Sequence, residues 1–382
     1  MTATFRGLTW DHPRGRSALE AAARAAYADD GHPLIEWDAQ PLEGFESTPI
    51  RELAERYDVI VLDHPHLGDA LAAEVLRPLD DWFDPALLSG LSSACVGPSY
   101  RSYVVDGRPW ALPLDAATQV SASIPEAIRS LPATWPDVSD LAARAPVALS
   151  LAGPHAFLTF ASVCVALGAE PATDPGAGFV AAAVGEEAID VLARIAAYAP
   201  AGTDALNPIA LLERMRASRE IAYIPLVYGY VTYASGPDAL RFGDAPSMSP
   251  GGRRGSTIGG TGIAITTRSE PDAALIGHLA GLLAPGTQAG FIPDNAGQPS
   301  LRSAWDDQRV NSGAGDFYVR TRATIEDAWV RPRVPGFVPF QAQASALIRD
   351  AVMNCAGATA TVKRVDSLFD ELVAAPYERT AG

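Results

Sequence analysis

Cysteine is scarce, and its spacing offers no chemistry. Cys95, Cys164 and Cys355 are the only three; they lack metal-ligand spacing, and an odd number cannot pair fully within one chain, so they read as small core residues. Positive charge is also short. The 29 Lys and Arg face 45 Asp and Glu, for a net charge of −16, and that field repels phosphate backbones and anionic headgroups. Nucleic acid is therefore not an expected partner. No stretch approaches about eighteen apolar residues without a charge, so no membrane insertion is expected. No basic and apolar leader precedes the first apolar stretch. Met1-Thr2-Ala3-Thr4, set directly against that stretch, reads as a native start, which implies a cytoplasmic protein; a trimmed leader would instead imply a periplasmic or extracellular one. A Gly-x-Ser-x-Gly elbow, a Walker loop and a Cys-His nucleophile pattern are all missing, and no cofactor is expected.

What is present is enough for a large core: 382 residues, 48% of them hydrophobic, a length that suggests two or three domains. The most informative stretch is Tyr57-Asp58-Val59-Ile60-Val61-Leu62-Asp63-His64-Pro65-His66. Its continuous aliphatic run predicts a strand buried on both faces, as in a parallel sheet. It ends in Asp63, His64 and His66, on the rim where open α/β sheets bind ligands. The same grammar occurs earlier, where Phe5-Arg6-Gly7-Leu8-Thr9-Trp10 leads into Asp11-His12-Pro13-Arg14-Gly15. Two strand ends thus each deliver an Asp-His-Pro tripeptide, which predicts a shared site. Between them, residues 17–28 predict a helix, 34–37 a strand and 50–56 a helix, a doubly wound β-α-β-α-β run.

Residues 76–83 read as an irregular turn, and Asp106-Gly107 as a hairpin turn feeding Leu114-Asp115 and a first crossing between lobes. Beyond residue 123 a second lobe is expected. Thr134-Trp135-Pro136-Asp137 caps a helix, residues 156–167 and 185–198 are helical, and Asn207-Pro208 caps another helix. Residues 221–226 predict a strand followed by Tyr228, Tyr230 and Tyr233, alternating as on a strand. Residues 257–265 resume a strand, 271–283 a helix, 293–303 a polar loop, and 324–329 and 340–351 closing helices.

Taken in order, the strand with its Leu-Asp end, Gly107-Arg108-Pro109-Trp110-Ala111-Leu112-Pro113-Leu114-Asp115, Gly259-Gly260-Thr261-Gly262 and Gly297-Gln298-Pro299 before Arg331-Pro332-Arg333 resemble the extracellular solute-binding proteins of bacterial ABC importers, of the carbohydrate type. The resemblance spans roughly residues 5–375. It implies an α/β, two-lobe, periplasmic-binding-protein-like type II fold with an interlobe cleft: residues 1–114 plus about 262–310 in one lobe, and 115–261 plus about 311–382 in the other. It also implies a small-molecule ligand, an ABC permease as partner if the chain is exported, and ligand contacts at Asp11, His12, Asp63, His64, Asp115, Tyr228, Gly259, Gly260 and Gln298.

Several of these residues have plainer readings. Asp11 could cap the helix that follows, with Pro13 as its first residue, whereas His12 is a poor cap and better placed facing a ligand. His66 reads as solvent-facing, and Arg14 as a surface ion pair or a bidentate holder of a carboxylate or phosphate. The tyrosines suit either a core or a stacking platform. Gly259-Gly260-Thr261-Gly262 lacks dinucleotide spacing and reads as a backbone approach point. Asp63, His64, His66 and His12 match no closed zinc pattern, so no metal is expected. Two functions follow. The first is a solute-binding protein that captures a small polar, sugar-like or carboxylated ligand. The second is a cytoplasmic enzyme on the same fold, a lyase, isomerase or hydrolase, with His12, His64, Asp11 and Asp63 in general acid-base roles.

Overall fold

The computed structural model describes residues 4–26, 31–172, 178–354 and 357–374; Met1, Thr2, Ala3 and Cys355 lie outside them. Its strands are β1 (Phe5–Trp10), β2 (Ile35–Gln40), β3 (Val59–Leu62), β4 (Val104–Val105), β5 (Arg108–Pro109), β6 (Leu112–Ser123), β7 (Tyr223–Tyr228), β8 (Arg241–Gly243) and β9 (Ile258–Ile265). The chain divides into two compact units, Met1–Ala116 with Gly259–Gly313 and Ala117–Ile258 with Ala314–Gly382.

In the first unit β1 runs parallel to both β2 and β3, and β9 joins antiparallel to β3, with Val61 opposite Ile263. Parallel neighbours need a crossover, and helices Pro13–Ala25 and Ile50–Ala54 lie on those connections. All four residues of β3 are buried, as its unbroken aliphatic run predicts. Leu8, Ile60, Leu62 and Ala264 pack with Leu53 and Leu67 in one core. Gly7 admits the Trp37 ring, since a Cβ there would lie 2.5 Å from Trp37 Cε3. The Asp106-Gly107 turn takes positive φ at both residues, +51° and +78°, the geometry of a type I′ hairpin between β4 and β5.

In the second unit β6 pairs antiparallel with β7 and with β8. Thr134 and Asp137 form a reciprocal capping box on helix Trp135–Ala142, and Asn207 Oδ1 caps helix Pro208–Ser218. Helix His155–Ala166 is buried on every side, which fits its lack of any polar stripe. Helices Ala182–Ala196, Phe337–Asn354 and Ala358–Phe369 pack around Phe157, Phe179, Phe340 and Phe369. Their rings meet edge-on or tilted at 5.1 to 5.6 Å between centroids.

Two sequence expectations need correction. The closing helix expected at 324–329 is Phe317–Glu326, and Trp329 instead pairs with Thr257 as an isolated bridge. Only Tyr228 of the tyrosine run lies on a strand; Tyr230 and Tyr233 fall at a 3-10 turn, Val231–Tyr233. The irregular turn expected at 76–83 is present and includes a short 3-10 turn, Leu79–Asp81. Among the described residues no single helix is long and apolar enough to cross a membrane, although the bent pair Ala273–Leu282 and Thr287–Asp294 passes by length and composition.

Candidate functional site

The carboxyl ends of β1 and β3 lie on one edge of the first unit, because the two strands are parallel neighbours. Each end opens into its Asp-His-Pro corner. At the first corner the N-cap of helix Pro13–Ala25 is His12, whose Nδ1 accepts from the Arg14 amide at 3.1 Å. The cap is therefore His12 and not Asp11, for which the sequence allows a capping role. An accepting Nδ1 places the ring proton of neutral His12 on Nε2. The ring stacks on Trp10 at 5.3 Å and 7° between planes. Burial, aided by the Arg14 guanidinium, pulls the His12 pKa down to about 4, while Asp11 opposes the shift. His12 is therefore neutral at neutral pH. Asp11 points outward, with its side chain 57% exposed and paired to Arg16 at 2.5 Å.

The second corner is arranged differently. Asp63 Oδ1 accepts from the His64 amide at 2.8 Å and lies 3.0 Å from His64 Nδ1. His64 is fully buried and meets the Tyr103 ring edge-on at 6.3 Å, and the Tyr103 hydroxyl donates to Leu62 O and, at longer range, to Gly260 O. Asp63 keeps 19% of its side chain exposed. His66, expected to face solvent, is buried on helix His66–Ala72. The rim thus presents two carboxylates, Asp11 exposed and paired to Arg16, and Asp63 partly exposed against the buried His64.

Asp115 and Gln298 do structural work in the first unit. Arg14 grips Asp115 through two nitrogens, Nε at 2.7 Å and Nη2 at 3.2 Å, and the Thr261 amide donates to Oδ1 at 2.7 Å. Both members of this pair are about 95% buried, so Arg14 is not the surface ion pair that its loop position suggests. Gln298 Nε2 donates to Ala116 O at 3.1 Å. The cavity beside Arg14, Asp115 and Gln298 measures about 10 Å³, room for about one water and none for a sugar. Both residues fix the segments through which the chain leaves and re-enters this unit. Gly259 is buried, and Gly260 holds φ +90°, a conformation that only glycine adopts without strain. It lets the strand pass Tyr103, as Gly262 does, whose Cβ would lie 2.6 Å from the Tyr103 ring.

In the second unit Tyr228, at the end of β7, is half-buried and meets the ring of His155 edge-on at 6.0 Å. His155 was not singled out from sequence; the signal available was a lone imidazole opening an otherwise apolar helix. A buried hydroxyl and amide network was also missed. Gln119 links Thr159 and Ser162, and Ser162 meets Thr257 at 3.0 Å, while Thr118 and Ser256 lie 2.5 Å apart. These groups satisfy one another inside the unit, which makes them fold determinants. Tyr233 donates to Glu213 Oε1 at 2.9 Å. Among the described residues no three His, Cys, Asp or Glu side chains form a metal cluster.

No protein-family model matches the chain, and no curated protein does. Solved structures do match, over nearly its whole length. Maltose-bound MalE3 of T. maritima is 18% identical, with a TM-score of 0.78, covering 97% of this chain and 100% of that one. A solute-binding protein of an ABC transporter from Agrobacterium radiobacter, in complex with ribitol, is 17% identical with a TM-score of 0.80, covering 97% and 98%. One from Agrobacterium vitis with bound D-mannitol is 15% identical with a TM-score of 0.75, covering 99% of each. The chain has the type II periplasmic-binding-protein fold of these proteins.

Proposed function

We propose that the chain is a solute-binding protein that captures a small polar ligand of the sugar or polyol class. The observation that carries this reading is the rim of the first unit, where Asp11 and Asp63 stand at adjacent parallel strand ends on a fold whose neighbours hold maltose, ribitol and D-mannitol. Carboxylates accept hydrogen bonds from hydroxyls, and such charged bonds are worth about 1.5–3 kcal/mol each. In this role the chain hands its ligand to an ABC permease and works in the periplasm or outside the cell.

The acid-base alternative needs an imidazole that titrates near neutrality. His12 does not supply one, because its Nδ1 is committed to the helix and its pKa sits near 4. Calorimetric titration with maltose, ribitol and D-mannitol tests the receptor reading. At least one should bind and raise the melting temperature, with a gain of about 2.7 kcal/mol at a hundredfold excess over Kd. Asp63→Asn should weaken that binding by about 10- to 100-fold. Unchanged affinity in this variant, or silence across a broad sugar and polyol panel, would refute it.

A further inference from the structure

The second unit carries a groove of about 360 Å³ whose lining includes Leu131, Phe242, Gly252, Arg254 and Arg320. That volume lies in the range of small-ligand sites, about 300–1,000 Å³. Its frame is built from several elements. Ser247 bridges to Thr134 on one side and to Arg254 on the other, and the Ser247 hydroxyl donates to Ser249 O at 2.7 Å. The Gly252 amide closes the glycine turn on Ser249 O at 2.9 Å. Gly243 is required by the wall, since a Cβ there would lie 2.3 Å from Leu131 Cδ1.

Charge in this groove runs against the rest of the chain. The protein carries a net charge of −16, yet Arg254 and Arg320 both line the groove, with Asp244 as the acidic residue of its lining. Asp244 is heavily used: Oδ1 takes the Thr324 amide and hydroxyl at 2.9 and 2.7 Å, and Oδ2 meets Arg254 Nε at 3.2 Å. That contact holds the Nε edge of Arg254, and its terminal nitrogens make no hydrogen bond among the described residues. Arg320 meets Asp316 through one nitrogen at 3.2 Å. Two partly exposed guanidinium groups facing one groove, with a buried phenyl ring beside them, match the chemistry of an oxyanion on a small organic body.

We propose that this groove is a second binding site, wholly within the second unit, for a small oxyanion-bearing ligand whose phosphate or carboxylate group is held by Arg254 and Arg320. It is independent of the sugar or polyol reading of the first unit. The test uses the full chain with two probes, inorganic phosphate and malonate, against sodium chloride at matched ionic strength. At least one probe should raise the melting temperature saturably, and which one does so identifies the anion class. The Nε–H resonances of Arg254 and Arg320 should shift along the same saturation curve. The double variant Arg254→Gln, Arg320→Gln should weaken probe binding at least tenfold. Both side chains are more than a third exposed, so the fold should tolerate the change, and the resonance titration on the unmodified chain stands without it. A response no greater than that to chloride, or an equal response in the double variant, would overturn the proposal.

Discussion

The two Asp-His-Pro corners share three residues and a position after parallel strands, yet they place those residues differently. Counted from the strand end, the helix begins one residue later at the second corner. The first helix starts at Pro13 with extended His12 as its cap, and the second starts at His66 after Pro65, which already has helical dihedrals. Pro13 therefore takes the first helical position, where a missing N–H costs nothing, and its predecessor is free to cap. At the second corner the carboxylate turns back on the following backbone amide instead. The residues beyond the tripeptide explain the shift. Gly15 lets the first helix settle against the Trp10 indole, where a Cβ would lie 2.3 Å from the ring, whereas Leu67 drives the second helix into the core beside Leu8 and Ile60. A repeated tripeptide fixes the location of a corner; the neighbours decide what each side chain touches.

The largest test of this difference is at the residue after each proline. Arg14→Met leaves Asp115 buried without its cation, and breaking a buried pair in this way costs about 3–5 kcal/mol. His66 occupies the matching place at the second corner and is buried; His66→Met keeps an apolar stem of similar bulk in a helix and should cost less than half as much. Urea unfolding of both variants makes the comparison. Equal losses would show that the Arg14–Asp115 pair does not set the first corner apart.

A smaller effect is read from the pH dependence of His12. The folded pKa of His12, about 4, lies below its ordinary value of 6.5, so the unfolded chain binds the extra proton first. Its contribution to stability is present above about pH 6.5 and is lost as pH falls toward 4, up to about 3 kcal/mol in all. His12→Asn supplies a good, non-titrating cap. Its stability at pH 7 should stay within about 1 kcal/mol of the parent, while its loss between pH 7 and 4.5 should be smaller by about 2–3 kcal/mol. Parallel pH profiles for the two proteins would contradict the buried, neutral state of His12.

Much of this architecture was legible in the sequence because it depends on periodicity and turn chemistry. The buried run at 59–62, the Asp106-Gly107 hairpin, the Thr134 and Asn207 caps and the apolar helix near 156–167 all follow from local rules. The rim carboxylates were legible as candidates for the same reason, since strand ends can be read from the strands. What could not be read was pairing across long separations. Arg14 meets Asp115 at a sequence distance of 101, and Thr261 meets it at 146; nothing local in either segment announces the other. The cap assignment at residue 12 failed because a propensity ranking prefers Asp, while stacking on Trp10 and the pull of Arg16 on Asp11 favoured His12. Helices His66–Ala72, Pro85–Ala94 and Ala358–Phe369 were missed, two of them being short and carrying no side-chain cap or a cap that reads equally well as a turn.

The smallest expected change in stability comes from Asp11→Asn. The Asp11–Arg16 pair is largely exposed on both sides, and exposed pairs contribute under about 1 kcal/mol. Unfolding should therefore barely register the substitution. Ligand affinity is a different readout, because a rim carboxylate that accepts from hydroxyls loses charge but not shape in the amide. If the first corner serves the ligand as the second does, Asp11→Asn should weaken sugar or polyol binding as Asp63→Asn does, with the folded state intact. Binding lost only in Asp63→Asn would assign the ligand to the second corner alone and leave the first as a helix-capping and strand-anchoring device.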